Sequence, residues 1–236
     1  MSGAGETADV MAVAMARLLV DGETVFHGVA SPLPMVAILL ARRLHAPNLV
    51  YVNITGAVDA RPPRLPRSTV DALLTDGAAA RVTLADLFDL AARGRLDTVF
   101  LGGVQIDGAG RINLSTVGAT RLPGGAGSAA LMPTARRTIL WRARHDPRTF
   151  VERLPFVTAA GNVDRVVTPS CVFRRLDGRL AVESIHEGVA PDALRAATGF
   201  AVSVDETTPR TPPPSEAERR ALAEIDPEGI RRIELA

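Results

Sequence analysis

Apolar positions along this chain recur at helical spacing in some stretches and as short unbroken runs in others, and the two patterns alternate. Residues 7–20 set Val10, Val13, Ala14 and Leu18 on one stripe, which predicts an amphipathic helix closed by Asp21-Gly22. Thr24-Val25-Phe26 follows as a short strand and runs into the loop His27–Pro32. Pro32 and Pro34 suit the first turn of a helix, where a missing N–H leaves nothing unpaired, so a helix is expected over roughly 34–45. Leu49–Val52 is a continuous apolar run of the kind found in buried parallel strands, and it breaks at Asn53-Ile54-Thr55-Gly56. An irregular Arg- and Pro-rich loop over 60–66 precedes a helix over 83–94, with Leu84, Leu87, Phe88 and Ala91 inward. Thr98–Leu101 is the next buried strand, running directly into Gly102-Gly103.

Residues 107–130 are dominated by Gly, Ser, Thr and Asn and read as loop. Strands are expected at 138–141, 165–168 and 171–174, and Asp177-Gly178 marks a hairpin turn. A short helix over 191–198 precedes the Pro-rich stretch 209–214, which resists helix and sheet alike. Ser215 and Glu218 stand at capping-box spacing at the head of a charged helix over 215–225. The alternation predicts an α/β fold, a mostly parallel sheet with helices on both faces and an antiparallel edge at the Asp177-Gly178 hairpin. One α/β domain is expected over 1–208. Residues 209–236 are expected to form a linker and a helix that packs on that domain or on a partner.

Composition narrows the function. The 236 residues carry a net charge of +1 and 4% aromatics, which argues against nucleic acid or an anionic membrane as partner. No apolar run is long enough to span a bilayer. The first residues hold early acids and no basic segment, so they do not read as a signal peptide. Cys171 is the sole cysteine, which precludes an intrachain disulfide and fits a reducing, cytoplasmic compartment. His27, His45, His145 and His186 are not at metal-ligand spacing, so no metal is expected. His27 sits beside a glycine loop, as a packed neighbour or as an acid or base. Ser31 and Ser128 lack the Gly-x-Ser-x-Gly elbow of a hydrolase triad.

In open α/β sheets ligands gather where strands end in loops. Three such ends are candidates: the loop with Ala30 and Ser31, the turn Asn53-Ile54-Thr55-Gly56, and Gly102-Gly103-Val104-Gln105. The richest stretch is Gly124-Gly125-Ala126-Gly127 before Ser128-Ala129. Glycines let backbone approach a ligand closely, and successive N–H groups can form an anion nest or oxyanion hole. No lysine follows it, and it does not come after the first strand, so it is neither a P-loop nor a dinucleotide fingerprint.

Taken in order, these pieces resemble the β subunit of class I CoA-transferases, of the glutaconate CoA-transferase type. The matching segments are Gly28–Pro32, Leu44–Leu49, the strand ending at Gly56, Gly102–Asp107 with Gly110 and Asn113, Gly124–Ala129, and Gly188–Pro191 with Ala196–Phe200. The resemblance covers roughly residues 8–205. It implies a three-layer α/β/α fold and a separate α subunit, in a heterodimer or an α2β2 assembly. It also implies an active site at or near the subunit interface and coenzyme A as part of the substrate, with no other cofactor. Gly124, Gly125, Ala126 and Gly127 would then offer N–H groups to the thioester oxyanion. Ala30, Ser31, Asn53, Ile54, Thr55, Gly103 and Gln105 would shape the acyl and pantetheine pocket.

One departure bears on the chemistry. In transferases of this type a glutamate stands two residues before the glycine matching Gly56, attacks the thioester and carries CoA. Here that position is Ile54, which has neither a nucleophile nor a proton to move. Thr55 is a weak nucleophile without an adjacent base. The resemblance therefore points to the branch that lost the glutamate, with decarboxylases or hydrolases of carboxy- or keto-acyl-CoA, whose reactions can pass through an enolate. The alternatives are a transferase whose nucleophile lies elsewhere and a non-catalytic subunit that stabilises its partner.

Overall fold

The structure, a computed structural model, describes residues 3–235. Contacts divide the chain into two units, one formed by the segment up to Phe100 together with that from Pro214, the other by Leu101–Pro213. The division thus falls inside the stretch 1–208 expected to be a single domain.

In the first unit, helix α1 (Ala4–Arg17) leads to strand β1 (Thr24–His27) and helix α2 (Pro32–Leu44). Helix α1 begins and ends earlier than its periodicity suggests. Its covered side is shifted from the expected stripe: Val13 and Ala14 are buried, Val10 and Leu18 only partly, and Ala8, Met11, Ala12 and Met15 are buried beside them. Pro32 occupies the first turn of α2, as expected. Strands β2 (Val50–Val52), β3 (Ala57–Val58) and β4 (Ala80–Arg81) follow, then helix α3 (Leu84–Ala92) and strand β5 (Thr98–Gly102). The strand order is β5-β1-β2-β3-β4. Strand β1 runs parallel to both β2 and β5, with Phe26 opposite Val52 on one side and Val99 on the other. Val25, Phe26, Val99 and Phe100 are buried, which is why these runs carry no polar alternation. Strands β3 and β4 pair antiparallel and make an edge that the apolar pattern did not announce. Helix α3 opens with a Thr83–Asp86 capping box. Leu87 and Ala91 point inward, but Leu84 is 55% exposed, contrary to expectation. As the first helical residue it lies at the rim of the buried face.

The second unit opens with β6 (Gln105–Asp107), β7 (Ile112–Asn113), β8 (Thr116–Val117) and β9 (Thr120–Arg121). They form two short hairpins, all but the start of β6 inside the stretch 107–130 read as loop. Strands of two or three residues hold too few alternations to register as a pattern. Helix α4 (Ser128–Thr134) follows the glycine stretch. Then come β10 (Arg137–Trp141), β11 (Phe150–Val151), β12 (Val163–Val167), β13 (Cys171–Leu176), β14 (Arg179–Ile185) and helix α5 (Pro191–Ala197). Strand β11 joins β6 and β7 in a small sheet. In the larger one, ordered β14-β13-β12-β10, the β10–β12 pair is parallel and the outer strands are antiparallel. Asp177 and Gly178 take φ of 47° and 82°, the paired positive values of a tight hairpin turn. Phe150, Phe173 and Phe200 cluster in the core, with ring centroids 5.7–6.4 Å apart.

Beyond Pro214 the chain belongs again to the first unit, where helix α6 (Glu216–Ile225) packs on α1 and α2. Ser215 and Glu218 form the expected capping box. Glu218 also takes a two-pronged ion pair from Arg17, at 2.8 and 2.7 Å.

Candidate functional site

In the first unit the loops after β1 and β2 leave the C-terminal ends of adjacent parallel strands, so Ala30–Ser31 and the 53–56 turn share one edge of the sheet. The turn is built by Asn53. Its buried amide donates to the Leu74 carbonyl at 2.8 Å. Its carboxamide oxygen accepts from the Thr55 N–H, the Thr55 hydroxyl and the Ala57 N–H, at 3.0, 2.6 and 3.2 Å. Gly56 closes the turn at φ 81°, and a side chain there would run into the Val82 carbonyl oxygen. Ile54 lies between these two fixed residues, half-buried, so the turn presents an apolar side chain. The Thr55 hydroxyl donates to Asn53, and among the described residues no base accepts its proton. The Ser31 hydroxyl likewise donates to the Val29 carbonyl, at 3.1 Å. Ala30 holds φ 48°, a region costly for any residue with a Cβ.

In the second unit the glycine stretch is suspended from its neighbours. The Gly124 N–H donates to the Leu114 carbonyl at 3.0 Å, and the Ser128 N–H donates to Gly125 at 2.7 Å. Among the described residues, the N–H groups of Gly125, Ala126 and Gly127 have no hydrogen-bond partner. Ala126 holds φ 44° and Gly127 is helical at φ −75°, ψ −10°, the alternation of hand that turns successive N–H groups to one side. Four non-glycine residues have positive φ among the described residues. Two are aspartates, which tolerate it; the other two are Ala30 and Ala126, both in candidate loops.

Gln105 is fixed from two directions: its amide donates to the Arg148 carbonyl at 3.3 Å, and its oxygen accepts from Asn113 at 2.8 Å. Asn113 is fully buried and also caps the 113–116 turn through its oxygen. Gly103 precedes this pair, and a Cβ there would stand 2.9 Å from Ile112. Thr158 and Ser115, which carry no sequence signal, connect these parts. Their hydroxyls lie 2.7 Å apart, and Thr158 also takes the Leu114 N–H at 2.8 Å. The candidate residues thus fall into two groups, one in each unit.

His27, His145 and His186 are engaged in hydrogen bonds within the fold. His27 is buried; its Nδ1–H donates to the Gly28 carbonyl at 2.9 Å and its Nε2 accepts from the Tyr51 hydroxyl at 2.5 Å. Burial lowers its pKa to about 4 against the pull of the Gly28 carbonyl, so it is a neutral core residue. His145 and His186 meet at Thr168, whose hydroxyl contacts His145 at 2.8 Å and whose carbonyl accepts from His186 at 2.8 Å. Burial lowers both to about 4. Burial pushes the Cys171 thiol up, so it is not a nucleophile. Among the described residues there is no cluster of three potential metal ligands and no helix long and apolar enough to cross a membrane.

Residues 8–197 match the family model described as coenzyme A transferase. One subunit of the 3-oxoadipate CoA-transferase of Pseudomonas knackmussii is 30% identical, over 93% of either chain. The solved decarboxylase AibA/AibB is 34% identical and superposes at a TM-score of 0.91, over 97% of this chain and 98% of that one. The solved IpdAB of Rhodococcus jostii is 25% identical at a TM-score of 0.84, over 98% of each. The fold is therefore that of these proteins: a mixed sheet with a parallel core, flanked by helices and bearing an antiparallel edge. This chain belongs to the coenzyme A transferase family.

Proposed function

We propose that this chain is the β-type subunit of a two-subunit enzyme that decarboxylates or hydrolyses a carboxy- or keto-acyl-CoA without a glutamyl-CoA intermediate. The observation that carries this is that the chain holds three unengaged N–H groups at Gly125–Gly127 and has an isoleucine in its 53–56 turn. Both reactions place negative charge on the thioester oxygen. In decarboxylation the C–C bond to the carboxylate breaks, CO2 leaves and the electron pair moves into an enolate, which then takes a proton. Preorganised N–H groups stabilise that charge in the transition state. Neither reaction needs a carboxylate that bonds to CoA.

Coenzyme A enters as part of the substrate. The α subunit completes the enzyme as a heterodimer or an α2β2 assembly, and it supplies the acid or base of the reaction. A cytoplasmic setting accords with the single, buried thiol of Cys171. The decarboxylase and IpdAB likenesses support the reading.

The likeness to a 3-oxoadipate CoA-transferase subunit favours a second reading, CoA transfer to a carboxylate acceptor. The test is to co-purify the chain with its α subunit and offer glutaconyl- and ketoacyl-type thioesters with and without acetate. CO2 with CoA retained, or free CoA, is the expected product. Appearance of acetyl-CoA, together with a borohydride- or hydroxylamine-sensitive carboxylate, would establish transfer instead. A Gly125 variant as active as the parent would leave this chain a structural subunit.

A further inference from the structure

Thr158 lies outside the glycine stretch, yet it reaches that stretch by two routes. Its Oγ1 accepts the Leu114 N–H at 2.8 Å, and the Leu114 carbonyl holds the Gly124 N–H at 3.0 Å. Its methyl group faces Gly125 directly: a Cβ on Gly125 would stand 2.7 Å from Thr158 Cγ2. The hydroxyl is further tied to Ser115 Oγ at 2.7 Å, so the side chain is held at both ends. The polar branch therefore sets the position of Gly124, and the methyl branch sets how close Gly125 comes. From the other side the segment is held only through its carbonyls, Gly125 accepting the Ser128 N–H at 2.7 Å and Gly127 the Ala130 and Leu131 N–H groups at 3.1 and 2.9 Å, while among the described residues the N–H groups of Gly125, Ala126 and Gly127 lack partners of their own.

We infer that Thr158 is a positioning residue that sets the aim of the Gly125–Gly127 N–H groups, and that it does so through its hydroxyl and its methyl separately. The inference rests on the proposed thioester site. A group that only aims oxyanion donors acts where charge develops. Its loss lowers kcat while leaving KM for the thioester close to the parent value. An aim displaced by a fraction of an ångström is enough to weaken such donors.

The variants separate the two branches. Thr158→Val keeps the shape and the methyl contact but removes the acceptor for the Leu114 N–H. Thr158→Ser keeps the hydroxyl and removes the methyl. The assay is steady-state turnover of the α–β complex on whichever thioester the parent accepts, with amide hydrogen exchange across residues 114–127. Thr158→Val is expected to lose about 10-fold or more in kcat with KM within about 3-fold. It should also exchange faster at Leu114 and Gly124. Thr158→Ser should show a smaller loss of kcat of its own, with exchange at Leu114 and Gly124 close to that of the parent. An unchanged kcat in Thr158→Val overturns the inference. So does a parallel loss of kcat, KM and thermal stability in both variants, which would mark Thr158 as plain packing. A parent complex inactive on every thioester would instead overturn the proposed function, a result distinguishable because it precedes any mutation.

Discussion

The Thr55 hydroxyl donates to the carboxamide oxygen of Asn53 at 2.6 Å, and this bond joins the two residues flanking Ile54. The same oxygen takes two backbone N–H groups, so one side chain satisfies most of the turn. Asn53→Ala leaves those donors and the Leu74 carbonyl unpaired in a buried setting. It is expected to cost about 2–3 kcal/mol in urea unfolding. A change below about 0.5 kcal/mol would show that water replaces Asn53 freely.

Gly124 and Gly125 fail for different reasons when substituted. Gly124 has φ 93° with open space around it, so Gly124→Ala is expected to cost about 1 kcal/mol of stability from backbone strain. Gly125→Ala collides with Thr158 Cγ2 and is expected to lower turnover by about 100-fold, as for a lost oxyanion donor. Comparing unfolding and turnover of the two variants checks the assignment.

Acid should weaken the fold through its neutral histidines. His27, His145 and His186 have ordinary values of 6.5 and sit at about 4 when folded. Below pH 6.5 the unfolded chain takes protons that the folded chain refuses. The stability they contribute is therefore complete above pH 6.5, declines as pH falls and is lost past about 4. Each removes up to ~1.4 kcal/mol per pH unit within that window. Urea midpoints at pH 7.5, 6 and 5 should fall in that order; a flat series would refute the assignment.

Two ion pairs of helix α6 are expected to differ in worth. Glu218 is 14% exposed in its side chain, closes the capping box and binds Arg17 twice, whereas Glu224 and Arg43 are more than half exposed. Desolvation opposes ionisation of Glu218, but hydrogen bonds from Arg17 and Ser215 prevail and bring its pKa to about 2. Glu218→Ala should cost about 1–2 kcal/mol and Glu224→Ala under about 0.5, by thermal or urea unfolding.

Cys171 should resist alkylation by iodoacetamide in the native protein and react on denaturation, because it is buried and its thiol is held protonated. Rapid native labelling, followed by mass spectrometry, would contradict this.

The continuous apolar runs, the Pro32 helix start, the Asp177-Gly178 turn and the Ser215–Glu218 box were all legible in the chain. Each depends on residues within a few positions of one another. The short hairpins at 105–121 and the β3–β4 edge were not, because strands so short are held by their pairing and not by their own pattern. Leu84 was read as inward from spacing alone, but periodicity says which face a residue occupies and not where the covering neighbour ends.

The site divides along the same line. The residue types at 54 and 124–127, and with them the absence of a carboxylate before Gly56, are properties of the sequence by itself. That Asn53 is engaged in building its turn, that Gly124 already donates to Leu114, and that Thr158 bears on Gly125 were decided only by tertiary structure. The reason is distance along the chain. Thr158 lies 44 residues from the Leu114 N–H it accepts, and no local preference encodes a hydrogen bond across such a separation.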